Sequence, residues 1–404
     1  MAMALIVSAQ TWTKTGAPTN SWTCIASSAN GSNLIAGAGG GPLGGPLYRS
    51  TNSGTTWKVT YATNEYWGSV ASSADGTHLF AAAPFYSTSG PGGLYISTNS
   101  GAKWMTNNLP ALYWSSVASS ADGRTLVAVA SAGAGGTPGG GIFSTTNGGI
   151  SWITTNFNNA NPWGVAMSAD GRKMFAVSGE VSFRSTNSGV TWTKQTNTPY
   201  FAELVSPSQY IASSADGNKL VLAVTASTYG TSPQSYDEIY ISTDFGDSWG
   251  LAQTVSNTLN FVTSSADGKI LAAVPLGSGP IFVSTNSGVT WTTNNSPTNQ
   301  QWGAVASCAD GGKLLAAAGN AEHVTGPIYL SRSVQPPWAD IMRTNGHVMV
   351  SWFVPSTNFT LLQSSNLLKW TTVTNKPVFD THSARDEVTL VITNKPRFYR
   401  LKLQ

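Results

Sequence analysis

Six carboxylates in the first 335 residues stand outside any recurring turn: Glu65, Glu180, Glu203, Asp237, Glu238 and Glu322. Paired carboxylates suit glycosidic-bond hydrolysis, which needs an acid and a carboxylate about 5–5.5 Å apart for retention or about 6.5–9.5 Å for inversion. Asp237-Glu238 ends the longest loop insertion, and Glu203 belongs to the long loop entering the same repeat. Glu203 with Asp237 or Glu238 is therefore the preferred pair for a hydrolase or lyase, with Glu65 and Glu322-His323 as alternatives. The competing reading is that surface loops simply collect charge. Other chemistries find less. His78 lies beside a turn, and His323 has no Gly-x-Ser-x-Gly serine near it, so a Ser-His-Asp triad is not expected. The four His are scattered, against the clustering that a metal site needs. No cofactor is expected, although carbonyl-rich loops leave room for a structural calcium ion. The Gly-rich stretches 37–45 and 133–141 lack the Lys-Ser/Thr ending of a phosphate loop.

A second set of residues could bind rather than react. Trp22, Trp67, Trp114, Trp163, Tyr210, Phe261 and Trp302 recur at the start of an apolar run, with Tyr113, Tyr229 and Tyr236 in neighbouring loops. Flat aromatic faces beside polar groups suit sugar rings, which stack through C–H faces and hydrogen-bond at their edges. The alternative is that the recurring aromatics wedge between neighbouring structural units as core.

What must position these residues is a repeat. Turn residues Asn30, Asp75, Asp122, Asp170, Asp216, Asp267 and Asp310 recur at steps of 45, 47, 48, 46, 51 and 43 residues. A second phrase ends at Trp57, Trp104, Trp152, Trp192, Trp249 and Trp291. Asp-Gly and Asn-Gly between apolar runs are strong hairpin signals, and four short strands per unit at this period read as a β-propeller blade. The last unit ends at Ile328-Tyr329-Leu330-Ser331, a third strand without a fourth, while Thr11-Trp12-Thr13-Lys14 matches a fourth strand. The expectation is an all-β, seven-bladed propeller over residues 1–335, closed by residues 10–15 as the outer strand of blade 7. Closure removes the sheet edges that invite aggregation. With four sequential strands per blade, all six carboxylates fall on the loop face opposite the Asp-Gly turns, the face where binding is expected.

The Trp phrase, Ser50-x-Asn52-x-Gly54-x-Thr56-Trp57, resembles the Asp-box (BNR) repeat. It returns at Ser185-Asn187-Gly189-Thr191-Trp192, Ser284-Asn286-Gly288-Thr290-Trp291 and, with the acid, Ser242-Asp244-Gly246-Ser248-Trp249. Lys103 replaces the Thr in the second unit. The resemblance covers about four fifths of the chain. It implies a propeller of a group that includes sialidases, xyloglucanase-type glycosidases, sortilin-like receptors and a photosystem assembly factor. Sialidase activity is not expected: Arg124 and Arg172 follow turns on the wrong face, Arg49, Arg184 and Arg332 lie in third strands, and no Phe-Arg-Ile-Pro-like segment occurs.

Residues 336–404 alternate differently and read as a small β-sandwich of fibronectin-III-like type. This part is similar to C-terminal modules of secreted bacterial proteins that end in a Phe-Tyr-Arg-Leu-like phrase, which implies attachment or a protein partner. Residues 1–334 hold 13 Lys+Arg against 14 Asp+Glu, and residues 335–404 hold 8 against 4. A net charge of +3 does not indicate nucleic-acid binding. No run of about 18 apolar residues suggests a membrane span. Cys24 and Cys308 sit at different heights in adjoining strands, so both are expected as buried free thiols. With only 10% charged residues, the chain reads as a secreted or periplasmic bacterial protein. Its expected partner is a polysaccharide or glycan, with a protein-binding scaffold as the alternative.

Overall fold

The computed structural model describes residues 11–39, 44–62, 64–84, 92–107, 109–131, 140–156, 162–179, 181–199, 208–225, 237–255, 259–275, 277–293, 295–319, 324–332, 339–344, 347–353, 359–366, 368–380, 385–391 and 397–403. Every regular element among them is a β-strand. Between residues 11 and 332 the strands form seven four-stranded antiparallel sheets. The first runs Trp22–Ser27, Leu34–Ala38, Leu47–Ser50, Lys58–Val59 in sequential order. Sheets two to six repeat that order, with inner strands Ser69–Ser72, Tyr113–Ser119, Gly164–Met167, Ser208–Ser213 and Leu259–Ser264. The seventh takes Trp302–Ser307, Lys313–Gly319 and Thr325–Arg332 from the end of this region, and its fourth strand, Thr11–Lys14, from the start of the chain. Thr11 pairs with Arg332 and Lys14 with Tyr329.

The second strand of each sheet is the most apolar, because both its faces are covered. Leu126–Ser131, Leu220–Thr225 and Leu271–Pro275 are buried throughout. Outer strands such as Lys58–Val59 and Thr292–Thr293 are exposed. Inner strands of successive sheets pack against each other in cyclic order, that of the seventh against that of the first.

The Ser-Ala-Asp-Gly turns explain that order. The backbone N–H of Ala29 donates to the carbonyl of Ala74, Ala74 to Ala121, Ala121 to Ala169, Ala169 to Ala215, Ala215 to Ala266, Ala266 to Ala309, and Ala309 back to Ala29, at 2.7–2.9 Å. A small side chain lets neighbouring turns approach this closely. Within each turn the acid binds its own loop: Asp75 Oδ1 accepts from Ser73 Oγ and from the Thr77 N–H. Gly76 follows at φ 73°, a conformation that Gly adopts at little cost. The Trp phrases are similarly self-contained. Ser50 Oγ accepts from the Gly54 N–H, Asn52 Oδ1 from the Thr56 N–H, and Trp57 Nε1 donates to the Gly54 carbonyl.

Residues 339–403 make a separate pair of sheets. Ala339–Thr344, His347–Phe353, Arg385–Val391 and Val378–Asp380 form one, and Thr371–Thr372, Phe359–Ser364 and Phe398–Leu403 the other. Val350, Trp352, Leu361, Val373 and Val388 fill the space between them. Both cysteines are free and buried; burial, partly offset by a hydrogen bond from Thr23, pushes the Cys24 thiol up to about 12.

Candidate functional site

The recurring aromatics divide into two sets. Trp22, Trp67, Trp114 and Trp302 have no exposed surface. They are wedges, each inserted against a third-strand aromatic: Tyr48 at 5.2 Å, Tyr95 at 5.1 Å, Phe143 at 4.9 Å and Tyr329 at 5.7 Å, all edge to face. Three of them also donate an indole N–H to the preceding sheet: Trp22 to the Gly326 carbonyl, Trp67 to Gly45 and Trp302 to Gly279. In three of these sheets the strand register shifts just after the Trp, a bulge of the kind that re-aims a side chain. The expectation that these four would offer faces to a ligand is therefore corrected. Completing the core between sheets removes them from solvent.

The other three do not follow. Counting seven residues back from the ring alanines gives the four wedge tryptophans in sheets one, two, three and seven, but Pro162, Ser208 and Leu259 in sheets four to six. Leu259 is buried as an aliphatic wedge. Trp163 lies one residue further on, Tyr210 and Phe261 two. That shift moves them out of the wedge slot and toward the axis. Trp163 is 46% exposed, and Tyr210 and Phe261 meet with ring centroids 4.8 Å apart.

All three line an axial cavity of about 300 Å³ to which every inner strand contributes. Ile25, Val70, Val117, Val165, Ile211, Val262 and Val305, at one position in all seven strands, form an apolar collar in it. One residue earlier, Cys24, Ser69, Ser116, Gly164 and Ala304 are small, whereas Tyr210 and Phe261 are large. The result is a lopsided cup: aromatic across sheets four to six, shallow-walled elsewhere, with no charged residue among its described lining residues. Some hydroxyls in the wall already serve the scaffold. Ser69 Oγ accepts from the Val117 N–H at 3.1 Å, Ser116 Oγ from the Val165 N–H at 3.3 Å, and Ser115 Oγ donates to the Pro162 carbonyl at 2.9 Å.

The described candidate carboxylates, Glu65, Asp237 and Glu238, each bind a neighbouring group. Asp237 has no exposed surface, and its Oδ2 accepts the Leu259 N–H. It ties the fifth sheet to the start of the sixth, which corrects its assignment as an acid facing substrate. Glu238, its neighbour on one strand, projects to the opposite face, where it accepts from the Tyr240 hydroxyl. Burial, then that bond and the adjacent charge, push the Tyr240 phenol up. Glu65 accepts from the Tyr95 hydroxyl at 2.8 Å, and its backbone bridges Gly45. Tyr113 opens the third inner strand, paired with Ser131, and does not line the cup. Glu180, Glu203, Glu322, His323, Tyr229 and Tyr236 lie outside the described residues. Among the described residues no three His, Cys, Asp or Glu gather as a metal site, and no helix is long and apolar enough to cross a membrane.

No protein-family model and no curated protein sequence matches the chain. Solved structures do. The β-propeller domain of Myceliophteria thermophila Cps50 (Swd1) aligns at 12% identity and a TM-score of 0.57, over 80% of this chain and 100% of that one. A YCF48 structure bound to D1 peptide aligns at 14% and 0.54, over 82% and 99%. The GH74 xyloglucanase from Xanthomonas campestris aligns at 13% and 0.56, over 85% of this chain and 59% of that enzyme. Likeness at this level carries the fold alone: the chain is an all-β protein with the architecture of a β-propeller.

Proposed function

We propose that this chain is a seven-bladed Asp-box-type propeller, closed by its N-terminal strand, that binds a neutral saccharide in the axial cup without cleaving it. The observation that carries this reading is the cup itself. Trp163, 46% exposed, lines the cavity with Tyr210 and Phe261, and none of the described lining residues is charged. Ligand sites are typically concave and mostly apolar, with a few placed polar groups. A wall without charge among its described residues disfavours sialic acids, uronates and phosphates, which would be desolvated there without a counter-charge. The ring of inter-sheet hydrogen bonds and the pairing of Thr11–Lys14 with Thr325–Arg332 support seven closed blades. The two-sheet module at residues 339–403 fits an accessory domain of fibronectin-III-like type, and a secreted setting belongs to the same proposal.

A second reading has its own support. The YCF48 match, to a structure bound to a peptide, spans nearly that whole chain, whereas the xyloglucanase match spans little more than half of that enzyme. In that reading an apolar side chain of a protein partner fills the same cup. Titration of the full chain with a panel of neutral and acidic oligosaccharides, read by tryptophan fluorescence, tests the first reading. Neutral sugars should bind, acidic ones should bind less well, and Trp163→Ala should abolish both the binding and its signal. Binding of acidic sugars alone, or neutral binding indifferent to Trp163, would overturn it.

A further inference from the structure

Resting on that saccharide reading, we infer that the cup recognises the end of a neutral glycan chain and not its interior. Seven inner strands surround the cavity, and each packs against the next in cyclic order, so the described wall is continuous around the axis. A sugar can reach the collar only along the axis. A cavity of about 300 Å³ is at the small end of the range for ligand pockets, enough for a terminal unit but not for a strand lying across it. The lopsided wall suits this approach. Trp163, Tyr210 and Phe261 rise on one side, while Cys24, Ser69 and Ala304 leave room opposite, so one ring can stack on the aromatics with space for its far edge. An internal residue of a polymer crossing the face would touch the rim only, unless the polymer threaded the cavity.

The experiment uses the full chain and four matched pairs of probes: cellohexaose and hydroxyethylcellulose, laminarihexaose and laminarin, xylohexaose and arabinoxylan, maltoheptaose and β-cyclodextrin. Binding is followed by fluorescence and calorimetry, with Trp163→Ala and Phe261→Ala beside the parent. If chain ends are recognised, affinity per chain is equal for short and long linear members of a bound pair. Per gram, a polymer ten times longer then binds about tenfold less. β-Cyclodextrin, a ring of the maltoheptaose linkage without ends, does not bind where maltoheptaose does. Equal binding per gram, or equal binding of the ring and the linear heptamer, overturns end recognition while leaving a saccharide-binding cup. Binding of no probe removes the saccharide reading and this inference with it. Loss in both variants places the contact at the aromatic side of the cup; loss in neither overturns the inference.

Discussion

Two arcs of the molecule put aromatic residues to opposite uses. In sheets one, two, three and seven a tryptophan sits seven residues before the ring alanine, fully buried against a third-strand aromatic. In sheets four, five and six the slot holds Pro162, Ser208 or Leu259, and the aromatic has slipped one or two places toward the turn. There it lines the cavity. A displacement of one residue changes which way a strand side chain points, and two residues advance it about 6.6 Å along the strand. Small changes of phase within a nearly constant repeat therefore convert core into a candidate binding surface. The cost of losing the wedges is met in part by Leu259 and by Asp237, which binds the Leu259 N–H.

The largest expected effect contrasts a wedge with its displaced counterpart. Trp67→Ala should lower stability by about 3–5 kcal/mol, as for other large-to-small core changes. Trp163→Ala should fall within about 1 kcal/mol of the parent, because nearly half of its surface is already exposed. Denaturant midpoints measure both, and equal losses would erase the distinction between the arcs. Next comes Asp237→Ala, which leaves the Leu259 N–H buried without its acceptor and should cost about 1–3 kcal/mol. Glu238→Gln on the opposite face should change stability by less than half as much. If the two behave alike, the link between sheets five and six is not carried by Asp237.

The seam between sheets seven and one can be loaded directly. A Cβ at Gly303 would lie 1.9 Å from the Trp22 carbonyl oxygen, so Gly303→Ala must move backbone and should cost about 1–3 kcal/mol. A Cβ at Gly277 meets nothing within 4 Å, which makes Gly277→Ala the matched control, neutral or slightly stabilising. The smallest effects concern protons. At Asp75 and Asp216 burial works against the charge, but bonds from Ser73 and Thr77, and from Ser214 and Asn218, outweigh it and lower both carboxyls. Their stabilisation is present above the ordinary carboxyl value of 3.8 and is lost as pH falls through the folded values. Burial dominates at Asp310, against bonds from Cys308 and the Gly312 N–H, and raises that carboxyl. The folded state then holds its proton more tightly, so stability declines as pH rises from 3.8 to the raised value. Asp310→Asn should flatten that decline in a pH series of melts, and Asp75→Asn should soften the acid limb instead.

Much of this architecture is legible in the residues themselves. Asp-Gly turns at near-constant steps mark the sheets, and the last third strand, with no fourth after it in its own unit, calls for a partner that Thr11–Lys14 supplies. Phase was harder to read. Aligning the units on their first aromatic treats Trp163, Tyr210 and Phe261 as equivalent to Trp22; aligning them on the turn alanine separates the two sets, because hydrogen bonding around the ring fixes the alanine. Parity along Asp237–Ser242 also carried a signal. Asp237 shares its face with Ile239, which is buried, and Glu238 shares the other with Tyr240. Composition conceals this because an acid in a loop-adjacent position resembles any solvated charge.

The alanine ring resembles a necklace without a clasp. Seven peptide units point the same way around the axis, each giving its proton to the next, so no link is first or last. The seam between strands far apart in sequence lies elsewhere, at the outermost strand of the seventh sheet, where Thr11–Lys14 rests on Thr325–Arg332. Fraying of that short outer strand would peel the rim and leave the necklace intact. The ring of turns is thereby held apart from that seam.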